Sequence, residues 1–220
     1  SWVSHFSPLC YFPHFFPNAY CTCSLPQDDF RRVARCLSGQ AVGLVLGGGG
    51  SRGLAHLGVI QEMEREGIPI DYIGGTSQGA FMGAMYASTL STVDDKMVPE
   101  IFLKQMGSVT HYIRSLTLPI MSYFSGSNFN ELLRSIFGST QIEDFWVRFF
   151  CCTTNVTDRK LEVHEVGPAW RYLRASMTVM GLLPPMPMGD EMDDNPNNAA
   201  ARTTMLVDGG YVNNIPFDIM

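Results

Sequence analysis

With 220 residues, 45% of them hydrophobic and 16% charged, the chain is long enough for one sizeable core and too short for two comfortable domains. Its net charge of −6 argues against a nucleic-acid binder, which needs a basic face to neutralise phosphates. The same charge disfavours docking on anionic lipid through a polybasic patch, so any contact with lipid has to be mainly apolar.

Residues 1–24 are aromatic and apolar but are interrupted by Pro8, Pro13 and Pro17, and no positive start precedes an apolar core. They read as a poorly ordered, atypical tail rather than a signal peptide. No apolar run along the chain reaches the ~18 residues of a membrane span. Organised sequence begins near Asp28: Phe30, Val33, Ala34 and Leu37 recur at helical spacing with Arg31, Arg32 and Arg35 between them. That spacing predicts a short amphipathic helix with Asp28 or Asp29 as its cap. The six cysteines (Cys10, Cys21, Cys23, Cys36, Cys151 and Cys152) form no C-x-x-C pair and have no histidine at zinc-ligand spacing. They read as free thiols, with no metal site expected.

Residues 41–46 form an apolar run without polar alternation, as in a strand buried on both faces. Gly47-Gly48-Gly49-Gly50-Ser51-Arg52-Gly53 follows it. Leu57, Ile60 and Met63, with Glu62, Glu64 and Glu66 on the wet side, then predict a helix closed by Gly67. Residues 70–73 read as a second strand, residues 74–79 as a sharp turn, and residues 80–87 as a small-residue helix able to pack closely on a sheet. This strand–loop–helix–strand–turn–helix order points to an α/β fold with a mostly parallel sheet.

Gly75-Thr76-Ser77-Gln78-Gly79 in that turn fits G-x-S-x-G. Between a strand and a helix, this is the arrangement of a nucleophile elbow, where the serine hydroxyl is exposed on a tight turn. The plainer alternative is a βα turn with a capping serine. For the glycine loop three readings compete. A phosphate loop lacks its Lys-Ser or Lys-Thr. A dinucleotide fingerprint is formally met by Gly48, Gly50 and Gly53, but its acid belongs at the end of the second strand, and Asp71 opens that strand. An oxyanion hole uses the loop amides to serve the serine on the neighbouring strand, and accounts for both motifs together. Arg52 would steady the loop or add positive field.

Downstream, residues 99–106, 130–137 and 168–177 read as helices and residues 147–156 and 161–166 as strands, while 189–204 is a polar loop. A serine needs a base. The histidines are His5, His14, His56, His111 and His164, none after Asp208, so the order Ser…Asp…His cannot be built. His56 is the candidate nearest the glycine loop, and reads more simply as a loop-bonding side chain. Met205-Leu206-Val207 is a short buried strand ending at Asp208-Gly209-Gly210, and a carboxylate there could take the serine proton. The methionines and leucines from Met177 to Met188 could line an acyl chain or simply pack in the core.

Together, the glycine loop, G-T-S-Q-G and D-G-G resemble the patatin-like phospholipase family, most closely the catalytic domain of neuropathy target esterase and its lysophospholipase relatives. Supporting stretches are residues 28–32, 141–144, 170–177 and 207–216. The likeness spans residues 25 to 220. It implies a three-layer α/β/α fold and a Ser–Asp dyad without histidine, with Ser77 as nucleophile and Asp208 as proton acceptor. It assigns Gly48, Gly49, Gly50 and Arg52 to the oxyanion loop, and Gly47, Gly53, Gly75, Gly79, Gly209 and Gly210 to the motif backbone. It also implies lysophospholipid or phospholipid substrates, no cofactor, a membrane surface, and an intracellular site at the endoplasmic reticulum membrane for the full-length protein. A domain over 25–220, truncated at its C-terminus, is the expected organisation. The alternatives are a catalytically idle lipid-binding or regulatory fragment and, with least support, a nucleotide binder.

Overall fold

The computed structural model describes residues 25–89, 122–188 and 204–220. The expected tail over 1–24, the helix over 99–106, the polar loop over 189–203 and His111 lie outside the described residues. The chain divides into two units, 1–40 and 41–220.

The first unit contributes α1 (Leu25–Leu37). It begins three residues earlier than the periodicity suggested, so Asp28 and Asp29 fall within the helix and not ahead of it. Phe30, Val33 and Leu37 of its apolar stripe are exposed.

The second unit follows the order β1 (Gly43–Leu46), α2 (Ala55–Arg65), β2 (Tyr72–Thr76), α3 (Gln78–Thr89), α4 (Ser127–Phe137), β3 (Arg148–Asn155), β4 (Lys160–His164), α5 (Ala169–Ser176), β5 (Met186–Met188) and β6 (Thr204–Asp208). The six strands form one sheet, paired in the order β1-β2-β3-β6-β5 with β4 also on β3. β1, β2 and β3 are parallel. β4 and β6 run antiparallel to β3, and β5 antiparallel to β6. Four strands, β1, β2, β3 and β5, therefore point one way, and the sheet is mostly parallel in direction, in an α/β fold.

β2 begins and ends later than the apolar pattern suggested, because Gly74, Gly75 and Thr76 belong to the strand and not to the turn. Packing explains the glycines. A Cβ on Gly74 would stand 2.0 Å from the Phe150 ring, and one on Gly75 would stand 2.3 Å from the Leu46 carbonyl oxygen. α3 is buried from Gln78 to Ala87, as expected for a small-residue helix pressed on a sheet.

The core lies between the sheet and its helices. Phe81, Phe137, Phe145 and Phe149 form a run of ring contacts at 5.6–6.3 Å that joins α3, α4 and β3. Cys151 and Cys152 are free and buried on β3, while Cys36 is exposed. Arg174 is also buried: its Nε donates to Asn130 Oδ1 (2.7 Å), and its guanidinium also donates to the Thr178 hydroxyl and the Pro184 carbonyl. These bonds tie α4, α5 and the segment after α5 together, and burial holds the Arg174 pKa down at about 10. Among the described residues no helix is long and apolar enough to cross a membrane.

Candidate active site

Ser77 and Asp208 arrive at one point because two strands end there. β3 is paired over Arg148–Cys152 by β2, over Cys151–Asn155 by β4 and over Thr153–Asn155 by β6. A strand has two edges, and β4 overlaps both other partners, so β2 and β6 must share the opposite edge, one after the other. β2 runs with β3 and ends with Thr76 opposite Cys152. β6 runs against it and ends with Asp208 opposite Thr153. The carboxyl ends of the two strands thus meet head to head, one residue step (about 3.3 Å) apart along β3.

Ser77 is the single residue between β2 and α3. It is non-glycine yet has φ +54°, the left-handed conformation that L-residues avoid. Its carbonyl accepts the Phe81 N–H (3.1 Å), the first turn of α3, and its own N–H donates to Ser176 Oγ (2.9 Å). The surroundings leave no room for side chains: a Cβ on Gly79 would meet the Leu46 carbonyl oxygen at 2.2 Å, and one on Gly53 would meet the Gln78 side chain at 2.2 Å.

Asp208 is 6% exposed. Its N–H donates to the Thr178 carbonyl (2.9 Å), and its Oδ1 accepts the Gly210 N–H (2.7 Å), the bond that makes Asp-Gly-Gly a side-chain-closed turn. A Cβ on Gly209 would stand 2.5 Å from the Cys152 carbonyl oxygen, so close approach to β3 accounts for the first glycine. Burial pushes the Asp208 pKa above its ordinary value, and hydrogen bonds from the Ser77 hydroxyl and the Gly210 amide pull it partly back.

The glycine loop lies against the same point. A Cβ on Gly48 would be 3.1 Å from Ser77 Cβ and 2.6 Å from Asn214 Oδ1. Asn214 holds the Gly48 residue on both sides: its carbonyl accepts the Gly48 N–H, and its Nδ2 donates to the Gly48 carbonyl, each at 3.2 Å. Gly47 offers its carbonyl to His56 Nε2 (2.8 Å), so His56 is the loop-bonding histidine of the simpler reading. The Arg52 N–H donates to the Gly49 carbonyl (3.2 Å), and the residue is exposed. Gly50 turns with φ +54°. His164 is engaged elsewhere, with Thr153 Oγ1 (2.7 Å) and stacked on Tyr172, and burial pulls its pKa down to about 4. Asp71 accepts the Val42 N–H at the opposite end of β2, away from the loop where a ribose would lie.

The tertiary structure adds residues to which the sequence attached no role. Ser176 bonds the Ser77 amide, Asn213 accepts the Thr76 hydroxyl through its carbonyl (3.0 Å), and Asn214 holds the glycine loop. Ser176 and Asn214 lie in stretches that carry the family resemblance, which was the available signal. Among the described residues no group of three His, Cys, Asp or Glu side chains could hold a metal.

The sequence model described as Patatin-like phospholipase matches residues 44–220. Lysophospholipase NTE1 of Saccharomyces cerevisiae is 48% identical over 190 residues, 86% of this chain and 10% of that protein. The protein of the same name from Yarrowia lipolytica is 47% identical over 203 residues, 92% of this chain and 13% of its own length. The chain thus spans only 10–13% of the length of these relatives. The crystal structure of VipD from Legionella pneumophila covers 80% of this chain and 47% of its own with a TM-score of 0.54 at 15% identity, a likeness of fold alone.

Proposed function

The chain belongs to the patatin-like phospholipase family, and we propose that it hydrolyses acyl esters of lysophospholipids or phospholipids, with Ser77 as nucleophile and Asp208 as base. The observation that carries this reading is the head-to-head meeting of β2 and β6 on one edge of β3. It sets a hydroxyl on a strained elbow beside a buried carboxylate whose pKa is raised toward the range useful to a base. The printed name of the yeast relatives, lysophospholipase, supports the substrate class.

In this reading Ser77 Oγ attacks the ester carbonyl carbon while its proton passes to Asp208. The carbonyl oxygen becomes an oxyanion that accepts hydrogen bonds from the glycine loop, where each donor contributes on the order of 100- to 1000-fold in rate. Gly49 and Gly50 are the amides we assign to it. Gly48, whose N–H is taken by Asn214, serves by lacking a side chain beside Ser77. Arg52 steadies the loop through Gly49. The C–O bond then breaks, Asp208 returns its proton to the leaving glycerol oxygen, and a water molecule activated by Asp208 releases the fatty acid from Ser77. No step calls on a metal or cofactor.

We assign the domain to residues 25–220. The alignment with the Yarrowia protein extends over 203 residues, more than the span 44–220 contains, and supports a start upstream of β1. A lipid surface would be met by apolar groups: Tyr211, Val212, Ile215 and Phe217 stand exposed directly after Asp208. In the full-length protein that surface would be an intracellular membrane.

A fluorophosphonate label tests the assignment. Covalent labelling at Ser77, absent in Ser77→Ala and strongly reduced in Asp208→Asn, is the expected result. Labelling at another serine overturns the nucleophile, and a folded but unlabelled chain favours an idle lipid-binding fragment.

A further inference from the structure

We propose that Ser176 is a positioning residue for Ser77: its hydroxyl sets the direction of the nucleophile by holding the Ser77 backbone amide against the central strand. The proposal rests on the reading of Ser77 as nucleophile and deepens it.

The joint between β2 and β6 is a weak place in the sheet. On β3, Cys152 faces the last residue of β2 and Thr153 the last residue of β6. The chain leaves β2 through a left-handed residue, and the Ser77 N–H takes a side-chain partner in place of a strand carbonyl. Buried amides and carbonyls left unpaired at such a joint are costly. Ser176, the last residue of α5, is 0% exposed and supplies both missing partners. Its Oγ accepts the Ser77 N–H (2.9 Å) and donates its single hydrogen to the Cys152 carbonyl (2.7 Å). A hydroxyl is a side-chain group small enough to do both at once.

Two consequences for the reaction follow. The peptide planes before and after Ser77 are each fixed by a hydrogen bond, the first to Ser176 and the second to Phe81 N–H. The Cα–Cβ bond of Ser77 therefore has one direction, toward Asp208, despite its unfavourable backbone conformation. The Ser77 amide is also withdrawn from the oxyanion, which leaves that role to other amides such as those assigned in the glycine loop. Ser176 touches neither substrate nor the reacting oxygen; it acts through Ser77.

The test uses the 220-residue chain and a short-chain 4-nitrophenyl ester, with active sites counted by fluorophosphonate labelling. In Ser176→Ala, kcat per labelled site should fall about 100-fold, the scale of an ångström misplacement of a reacting group, while KM stays within about twofold. Ser176→Cys keeps the shape with a poor hydrogen-bond partner and should fall likewise. Ser176→Thr, which restores the hydroxyl, should recover most of the rate. If kcat per labelled site is unchanged in Ser176→Ala and Ser176→Cys, or if both variants fail to fold, Ser176 serves only the stability of the joint and the proposal is overturned. Failure of the unsubstituted chain to label at Ser77 counts instead against the nucleophile assignment.

Discussion

At the scale of single residues, Asp208 is a buried carboxylate whose pKa desolvation raises. Its raised pKa means that ionisation is less favourable in the folded chain than in the unfolded one. The sign follows from linkage: the stability cost is absent below the ordinary value of 3.8, and is complete once pH exceeds the folded pKa. Asp208→Asn removes that cost while its amide oxygen can still accept the Gly210 N–H. At pH 7 the variant should melt no lower than the unsubstituted chain, the difference closing on acidification, while ester hydrolysis falls by on the order of 1000-fold. A variant that is both inactive and much less stable would instead make Asp208 a structural residue. The profile of kcat/KM against pH should carry an acid limb whose midpoint lies above 3.8, because only the ionised carboxylate can take the proton.

Ser77 makes a complementary case for strain. An alanine at φ +54° keeps the backbone penalty, whereas a glycine escapes it. Ser77→Gly should therefore be more stable than Ser77→Ala by about 1 kcal/mol, measured by urea unfolding. Equal stabilities would place the elbow in a different conformation in solution.

At the scale of elements, the elbow depends on how closely β1, β2 and α3 approach. Gly75 and Gly79 both face the Leu46 carbonyl oxygen, where added Cβ atoms would stand 2.3 and 2.2 Å away. A backbone carbonyl cannot rotate aside as a flexible side chain can. Gly79→Ala should thus cost about 3 kcal/mol or more, beyond ordinary core overpacking, and reduce labelling of Ser77 in whatever fraction folds. Gly58, with nothing within 4 Å of an added Cβ and no positive φ, is the control: alanine there sits inside α2 and should stabilise by up to about 1 kcal/mol. If the two substitutions have similar effects on melting, the close approach is not what the glycines serve.

The same elements mark where periodicity misleads. Apolar patterning located β1, β3, α4 and α5, yet it ended β2 too early, since glycines carry no hydrophobic signal. In this strand they are required by the Phe150 ring and the Leu46 carbonyl. It also started α1 too late by treating Asp28 and Asp29 as flanking residues. β5 escaped notice because three residues, Met186–Met188, are too short to show alternation and exist as a strand through pairing with β6.

At the scale of the whole molecule, charge and apolar exposure jointly constrain how a lipid would be met. With a net charge of −6, attraction to anionic headgroups is not available as a driving force. In the proposed reading the exposed Ile215 and Phe217, which follow Asp208, supply it instead. Binding to zwitterionic vesicles should therefore change less than about twofold between 0.05 and 0.5 M salt, roughly the range over which the Debye length shrinks from ~14 to ~4 Å. Phe217→Ser should weaken it. A steep loss of binding with salt, in a sedimentation assay, would transfer the contact to charged groups and sink the apolar surface.

The sequence by itself determined the local chemistry: a serine between strand and helix, a glycine run after a buried strand, and an acid closing a two-glycine turn. Each of these is a demand on a few consecutive residues, and such demands are written where they act. Tertiary structure alone decided that β2 and β6 end against each other on β3, that Ser176 reaches across 99 residues to the Ser77 amide, and that Asn214 reaches across 166 to the glycine loop. Serine and asparagine have no periodicity of their own. Their roles come from the orphan backbone groups that packing leaves beside them, and those groups exist only once the sheet has closed.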